Sequence, residues 1–204
     1  MKIKRILNPV AQENTYILEN ESASLVIDPG SNTSSILAKL EAIAKPVAAI
    51  LLTHTHYDHI MSVEAVRQAY NHPPVYVAEA EKDWLMNPVH NLSGLPRHDD
   101  MEDVIVNPAD YYFDFIKDYN ISNFQFKVVP TPGHSIEFPL SLKKKKLFFL
   151  VMPFLKKQLG DGTFLQVITT SYFLAFKINF SLFLTTIVFF QATDGTCLLY
   201  TSDA

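Results

Sequence analysis

The sequence predicts an α/β fold in which sheet layers are covered by helices. Strand-like and helix-like segments alternate from the N-terminus to about residue 135, the order that places helices against sheets. A continuous apolar run, Val47 to Leu52, sits between two helical segments and has the composition of a strand buried on both faces. Immediately after it come three histidines and an aspartate within six residues, so the polar chemistry is concentrated at one strand end.

Ile3 to Leu7, Thr15 to Leu18 and Ser24 to Ile27 read as strands, with Asn20-Glu21-Ser22 as a hairpin turn between the last two. Asp28-Pro29-Gly30 ends the third strand with turn chemistry. Ser34 to Ala44 carries Ile36, Leu37, Leu40 and Ile43 at helical spacing, and Pro46 stops it. After the strand Val47 to Leu52, Ile60 to Tyr70 is helical again and Pro74 to Val77 is a strand. Glu79 to Leu85 reads as a short helix, followed by a Pro-, Asn- and Gly-containing loop from Asn87 to Pro108. Phe124 to Val129 is the last clear strand before Pro130-Thr131-Pro132-Gly133-His134.

With 204 residues the chain is long enough for one domain with a sizeable core. A net charge of -4 gives it no electrostatic pull toward nucleic acid or anionic lipid. The single Cys197 excludes an internal disulfide framework and suits a reducing compartment. The basic N-terminus, Met1 to Leu7, is not followed by an apolar stretch of signal-peptide length, so the cytoplasm is the expected location.

Function is written most densely in Thr53-His54-Thr55-His56-Tyr57-Asp58-His59. A strand presents alternate residues to one side, so His54 and His56 can converge on one point. The chain then turns, and Asp58 and His59 can face a second point nearby. Imidazole and carboxylate in such a group suit zinc, iron or manganese. His72, His90 and His98 stand alone in loop-like sequence and read as solvated side chains. Trp84 and Tyr111-Tyr112-Phe113 read as core or pocket wall.

These residues carry a resemblance to a known family. The run from His54 to His59 matches the His-x-His-x-Asp-His signature of the metallo-β-lactamase superfamily, and Thr131-Pro132-Gly133-His134 resembles its next motif. Asn14-Thr15-Tyr16 and Asp28-Pro29-Gly30 look like the family's N-terminal strands. Glu81 to Leu85, Asn87-Pro88 and Asn91-Leu92-Ser93 resemble its small glyoxalase II (hydroxyacylglutathione hydrolase) members. The resemblance covers residues 1 to about 135 and implies an αββα sandwich. It implies that His54, His56 and His134 hold one metal and that Asp58 and His59 belong to a second. It also implies that Asp58 manages a proton. The metals would lower the pKa of a bound water from 15.7 to about 7. The implied substrate is a small-molecule thioester, or a related ester or lactone.

The character of the chain changes after Ser135. Lys143 to Lys146 is followed by apolar runs such as Phe148 to Val151 and Ile187 to Phe190, and between Phe138 and Thr193 the only acidic residue is Asp161. The Gly-Asp-x-Leu-Phe and Pro-Gly-His-Gly motifs expected next in this family are absent as written. Both return, in order and in one alternative reading frame: codons for Leu150 to Leu155 permit Gly-Asp-Ala-Leu-Phe, and those for Phe190 to Asp194 permit Pro-Gly-His-Gly. The expected organisation is therefore a metal-binding half over residues 1–135 and a frameshifted continuation over 136–196. The tail, 197–204, resembles the translation of a transposon-end sequencing adapter. As written, the second site lacks a bridging Asp and a last His, so one zinc is expected where the family holds two.

Two other readings belong to different classes. A membrane-anchored protein would use Tyr172 to Phe190, 19 mostly apolar residues interrupted by Lys177 and Asn179. A non-catalytic metal-binding module would keep only the three-histidine site. Among enzymes of this fold, lactonases and β-lactamases share the metal motif, and fold alone does not choose between them.

Overall fold

The computed structural model describes residues 1–98, 100–114 and 117–128, and the backbone of eight short strand segments after them. The first sheet has six strands in the order β1 (Lys2–Leu7), β2 (Asn14–Glu19), β3 (Ser24–Ile27), β4 (Val47–Leu51), β5 (Val75–Val77) and β6 (Tyr111–Tyr112). β1, β2 and β3 are antiparallel neighbours, whereas β3 to β6 run parallel. Parallel neighbours need crossover connections. These are α1 (Thr33–Ile43) between β3 and β4, and α2 (Tyr57–Ile60) with α3 (Val63–Ala69) between β4 and β5.

Side-chain alternation builds a core on each face of this sheet. Ile17, Val26 and Ile50 lie with Ile36, Leu40 and Val66 in the core beneath the helices. Tyr16, Leu18, Leu25, Ile27, Ala49 and Leu51 lie in the opposite core with Phe113, Phe124, Phe126 and Val128. Phe124, Phe126 and Val128 come from β8 (Phe124–Val128), which pairs with β7 (Asp118–Ile121) in a second sheet. The layers are therefore helix, sheet and sheet, a mixed α/β sandwich.

Local chemistry explains the boundaries. Asn20 Oδ1 accepts from the backbone N–H groups of Ser22 and Ala23, both at 2.9 Å, and closes the β2–β3 turn. Ser122 and Asn123, with φ of 45° and 67°, form the two-residue β7–β8 hairpin, whose positive φ values match strand twist. Ala44 ends α1 in the left-handed region (φ 53°), its N–H returning to Leu40 and Glu41.

Three expectations change. The helix read over Ile60 to Tyr70 is interrupted, because the Ser62 N–H donates to Pro29 O (2.9 Å) rather than to the preceding turn. Glu79 to Leu85 is a 3-10 turn, Glu79–Glu81, followed by irregular turns. Strands β6 and β7 have too little apolar patterning to be foreseen.

Strand segments continue as β9 (Thr131–Pro132), β10 (Ile136–Glu137), β11 (Leu140–Leu142), β12 (Leu147–Pro153), β13 (Ile168–Thr170), β14 (Phe173–Ala175), β15 (Leu184–Phe190) and β16 (Cys197–Asp203). The backbone order of the second sheet is β16-β15-β12-β11-β8-β7. Among the described residues no helix is long and apolar enough to cross a membrane. Within Tyr172 to Phe190 the described segments, β14 and β15, are extended strands rather than helix.

Candidate metal centre

The site begins where β4 ends. Asp28, at the end of the neighbouring β3, accepts the Thr53 N–H at 2.8 Å and the Thr53 hydroxyl at 2.6 Å. Two residues on, Glu81 Oε2 accepts the Thr55 N–H at 2.8 Å and its hydroxyl at 3.0 Å. Both carboxylates are buried. Thr53 and Thr55 are thereby fixed by buried acceptors, and the residues alternating with them are His54 and His56.

The imidazoles come together. The His54 ring centroid lies 4.7 Å from that of His56 and 4.0 Å from that of His59. All three residues are at most 7% exposed. His56 begins the single turn of α2, which the Tyr57 N–H anchors to Asn91 O at 2.8 Å. That turn carries Asp58 and His59, and Asp58 Oδ2 is 3.5 Å from His59 Nε2. The structure thus gathers His54, His56, Asp58 and His59 at the C-terminal edge of the parallel strands. His134 lies outside the described residues.

The far side of His59 is also occupied. Its Nδ1 is 3.2 Å from Asp28 Oδ2 and 3.7 Å from Glu13 Oε1, and these three residues form a compact, buried group of potential ligands. Burial alone would push the His59 pKa down. The Asp58 and Asp28 carboxylates outweigh it and hold the pKa above the ordinary histidine value. Burial, reinforced by Asp28 and Asp58, drives the Glu13 carboxyl well above its usual range, against a lowering hydrogen bond from Asn8.

Sequence reasoning missed Glu13, Asp28 and Glu81 as parts of the site. Asp28 carried a signal, an acid directly after a buried strand, but was read as turn chemistry and as part of the family's N-terminal strands, not as a site residue. Glu13 and Glu81 precede and follow the motif at distances that carry no local signature. On one wall, the Trp84 ring lies parallel to His56 with centroids 6.5 Å apart, and His98 contacts Tyr57 at 4.7 Å.

A buried, convergent set of three imidazoles and a carboxylate, with further carboxylates behind it, has the composition of a transition-metal centre. Comparison with known proteins places this geometry in a family. The metallo-beta-lactamase superfamily model matches residues 8–136, more than half of the chain, and the chain belongs to that superfamily. A probable metallo-hydrolase of Streptococcus pyogenes is 54% identical over 135 residues, 66% of this chain and 58% of that protein. The probable metallo-hydrolase YqgX of Bacillus subtilis is 35% identical over 135 residues, 66% of this chain and 62% of its own length. The chain therefore spans about three-fifths of these two relatives. Among solved structures, the BLEG-1 B3 metallo-beta-lactamase superposes with a TM-score of 0.64 at 34% identity, covering 69% of this chain and 67% of that one.

Proposed function

We propose that the chain is a zinc-dependent hydrolase of small-molecule thioesters, in the manner of hydroxyacylglutathione hydrolases. One observation carries the reading: the buried His54, His56 and His59 rings converge on one another. The donors fit a metal, since zinc takes nitrogen and carboxylate ligands whose far sides are held by further acids. His54 and His56, with His134, would hold one ion, and Asp58 and His59 would serve a second. Bound there, zinc supplies Lewis-acid polarisation of a carbonyl and an activated water at neutral pH.

The chain's own residues set the conditions for that chemistry. Asp28 and Glu81 fix the loop through Thr53 and Thr55, so His54 and His56 need little reorganisation on binding. Asp58, with its side chain 15% exposed beside the buried His59, is placed to take up and return a proton. Trp84 and Tyr57 offer an aromatic wall beside the metal residues. The likeness of Glu81 to Leu85 and Asn91-Leu92-Ser93 to glyoxalase II sequences favours a hydroxyacyl thioester of glutathione over a lactone or β-lactam. The cytoplasm is the proposed setting; residues 1–196 contain no cysteine, so nothing there calls for an oxidising compartment.

The test is hydrolysis of a hydroxyacyl glutathione thioester, a lactone and a β-lactam by the zinc-loaded chain and by a version restored to the alternative frame after residue 136. The thioester should be the best substrate of the restored protein, with weaker turnover by the chain as written and none in either His54→Ala variant. Faster cleavage of the lactone or β-lactam would replace the thioester assignment. Zinc uptake without turnover in both proteins would leave a non-catalytic metal module.

A further inference from the structure

We propose that Glu13 is a positioning residue for His59: it shares the Nδ1 edge of that ring with Asp28, leaving Nε2 to face Asp58 and the metal. The inference rests on the reading of His59 as a ligand, but its own content is the orientation of the ring.

Glu13 is 2% exposed and lies just before β2, far in sequence from the histidine motif. A buried polar network holds it. Asn8 Nδ2 donates to Glu13 Oε2 and to Thr15 Oγ1 (2.9 Å), and Asn8 N donates to Glu13 O (2.7 Å). Asn8 Oδ1 accepts from Asn32 N (2.7 Å), while Thr15 Oγ1 donates to Asp28 O (2.7 Å) and accepts from Gly30 N (3.0 Å). With Oε2 engaged by Asn8, the other oxygen, Oε1, is buried without a hydrogen bond and stands 3.7 Å from His59 Nδ1. Gly30 makes the room: a Cβ there would lie 2.0 Å from Glu13 Oε2 and 2.6 Å from Asp58 O.

An isolated buried carboxylate is costly, so one aimed at a buried imidazole must be matched by interactions that offset the cost. Ligand histidines commonly donate their second ring N–H to a carboxylate, which fixes the tautomer and orients the ring. Asp28 can serve this end only in part, since each of its oxygens already accepts from Thr53. Glu13 Oε1 has no such commitment. The rival arrangement, an ion held between Glu13, Asp28 and His59 Nδ1, would compete with the Thr53 donors for Asp28 and would take Glu13 Oε1 away from the ring.

The experiment is two-bond 1H–15N correlation spectroscopy on the full chain carrying 15N-labelled histidine, without and with zinc, alongside zinc affinity by competition with a chromophoric chelator. At a pH above the folded His59 pKa, His59 is expected as the Nδ1–H tautomer without zinc, with Nε2 as the nitrogen that shifts when a second, weakly held ion is added in excess of the first. Glu13→Ala should mix the tautomers and weaken binding of that second ion about 10–100-fold. Glu13→Gln, which keeps a carbonyl oxygen at that point, should recover most of both. A zinc-induced shift at Nδ1 would overturn the proposal in favour of the rival site, and so would unchanged tautomer and affinity in Glu13→Ala. The wild-type tautomer decides the matter even if Glu13→Ala fails to fold. If no zinc binds at all, the hydrolase reading fails, while the wild-type tautomer and its loss in Glu13→Ala still decide this one.

Discussion

In Thr53-His54-Thr55-His56, each threonine gives both its backbone N–H and its hydroxyl to one buried carboxylate, Asp28 for the first and Glu81 for the second. Removing an acceptor strands two buried donors, each at a cost of about 1–3 kcal/mol. Glu81→Ala should therefore lower the unfolding free energy measured in urea, and zinc affinity with it. An unchanged denaturation midpoint would show that water replaces the carboxylate. His59 makes a second prediction at this scale. Its pKa lies above the ordinary histidine value in the metal-free protein, because Asp58 and Asp28 outweigh burial. Metal must displace that proton, so apparent affinity for a second zinc at Asp58 and His59 should rise with pH through and above the ordinary histidine range, by about tenfold per unit for one released proton. The sign for folding is the reverse: the raised pKa stabilises the metal-free protein at pH values below the unfolded histidine value. That contribution is lost as pH rises through the folded value. A flat affinity profile across this window would show that His59 is not displaced from a proton by metal.

At the scale of elements, the break between α2 and α3 does more for the site than either helix. Ser62 turns back to Pro29 and Gly30, tying the histidine turn to the end of β3. Gly30 sits in that joint with no space for a side chain, and the nearest obstacles include the Asp58 backbone oxygen as well as the Glu13 side chain. Gly30→Ala should destabilise the protein by about 1–3 kcal/mol, as overpacking does elsewhere. A melting temperature equal to wild type would show that the joint yields freely. Strands β1 to β5 and α1 were legible because they carry alternating, continuous or helical apolar patterns with Asn20, Gly30 and Pro46 as punctuation. The His54 to His59 cluster was legible because no apolar core accepts so many polar groups in six residues. Glu13, Asp28 and Glu81 were not, since each reaches the motif only through the tertiary fold. The helix expected from Ile60 onward starts at Val63 instead, because its pattern carries no sign that Pro29 would claim the Ser62 N–H.

For the whole molecule, the family match ends at residue 136, next to the change in composition. The account proposes that the reading frame slips between the codons for Ile136 and Leu150, with an adapter-derived tail over 197–204. Sequencing the source gene should reveal an insertion or deletion there, and an intact genomic frame encoding residues 136–196 as written would contradict it. The proposal bears directly on metal content, because ligands for a second ion are expected in the displaced frame, leaving Asp58 and His59 short of partners. The most direct measurement is therefore zinc per chain, by elemental analysis after dialysis, for the protein as written and for His54→Ala. The account predicts close to one zinc in the former and none in the latter. Retention of zinc by His54→Ala, or no zinc in the unmodified chain, would contradict the assignment of a metal centre to this histidine cluster.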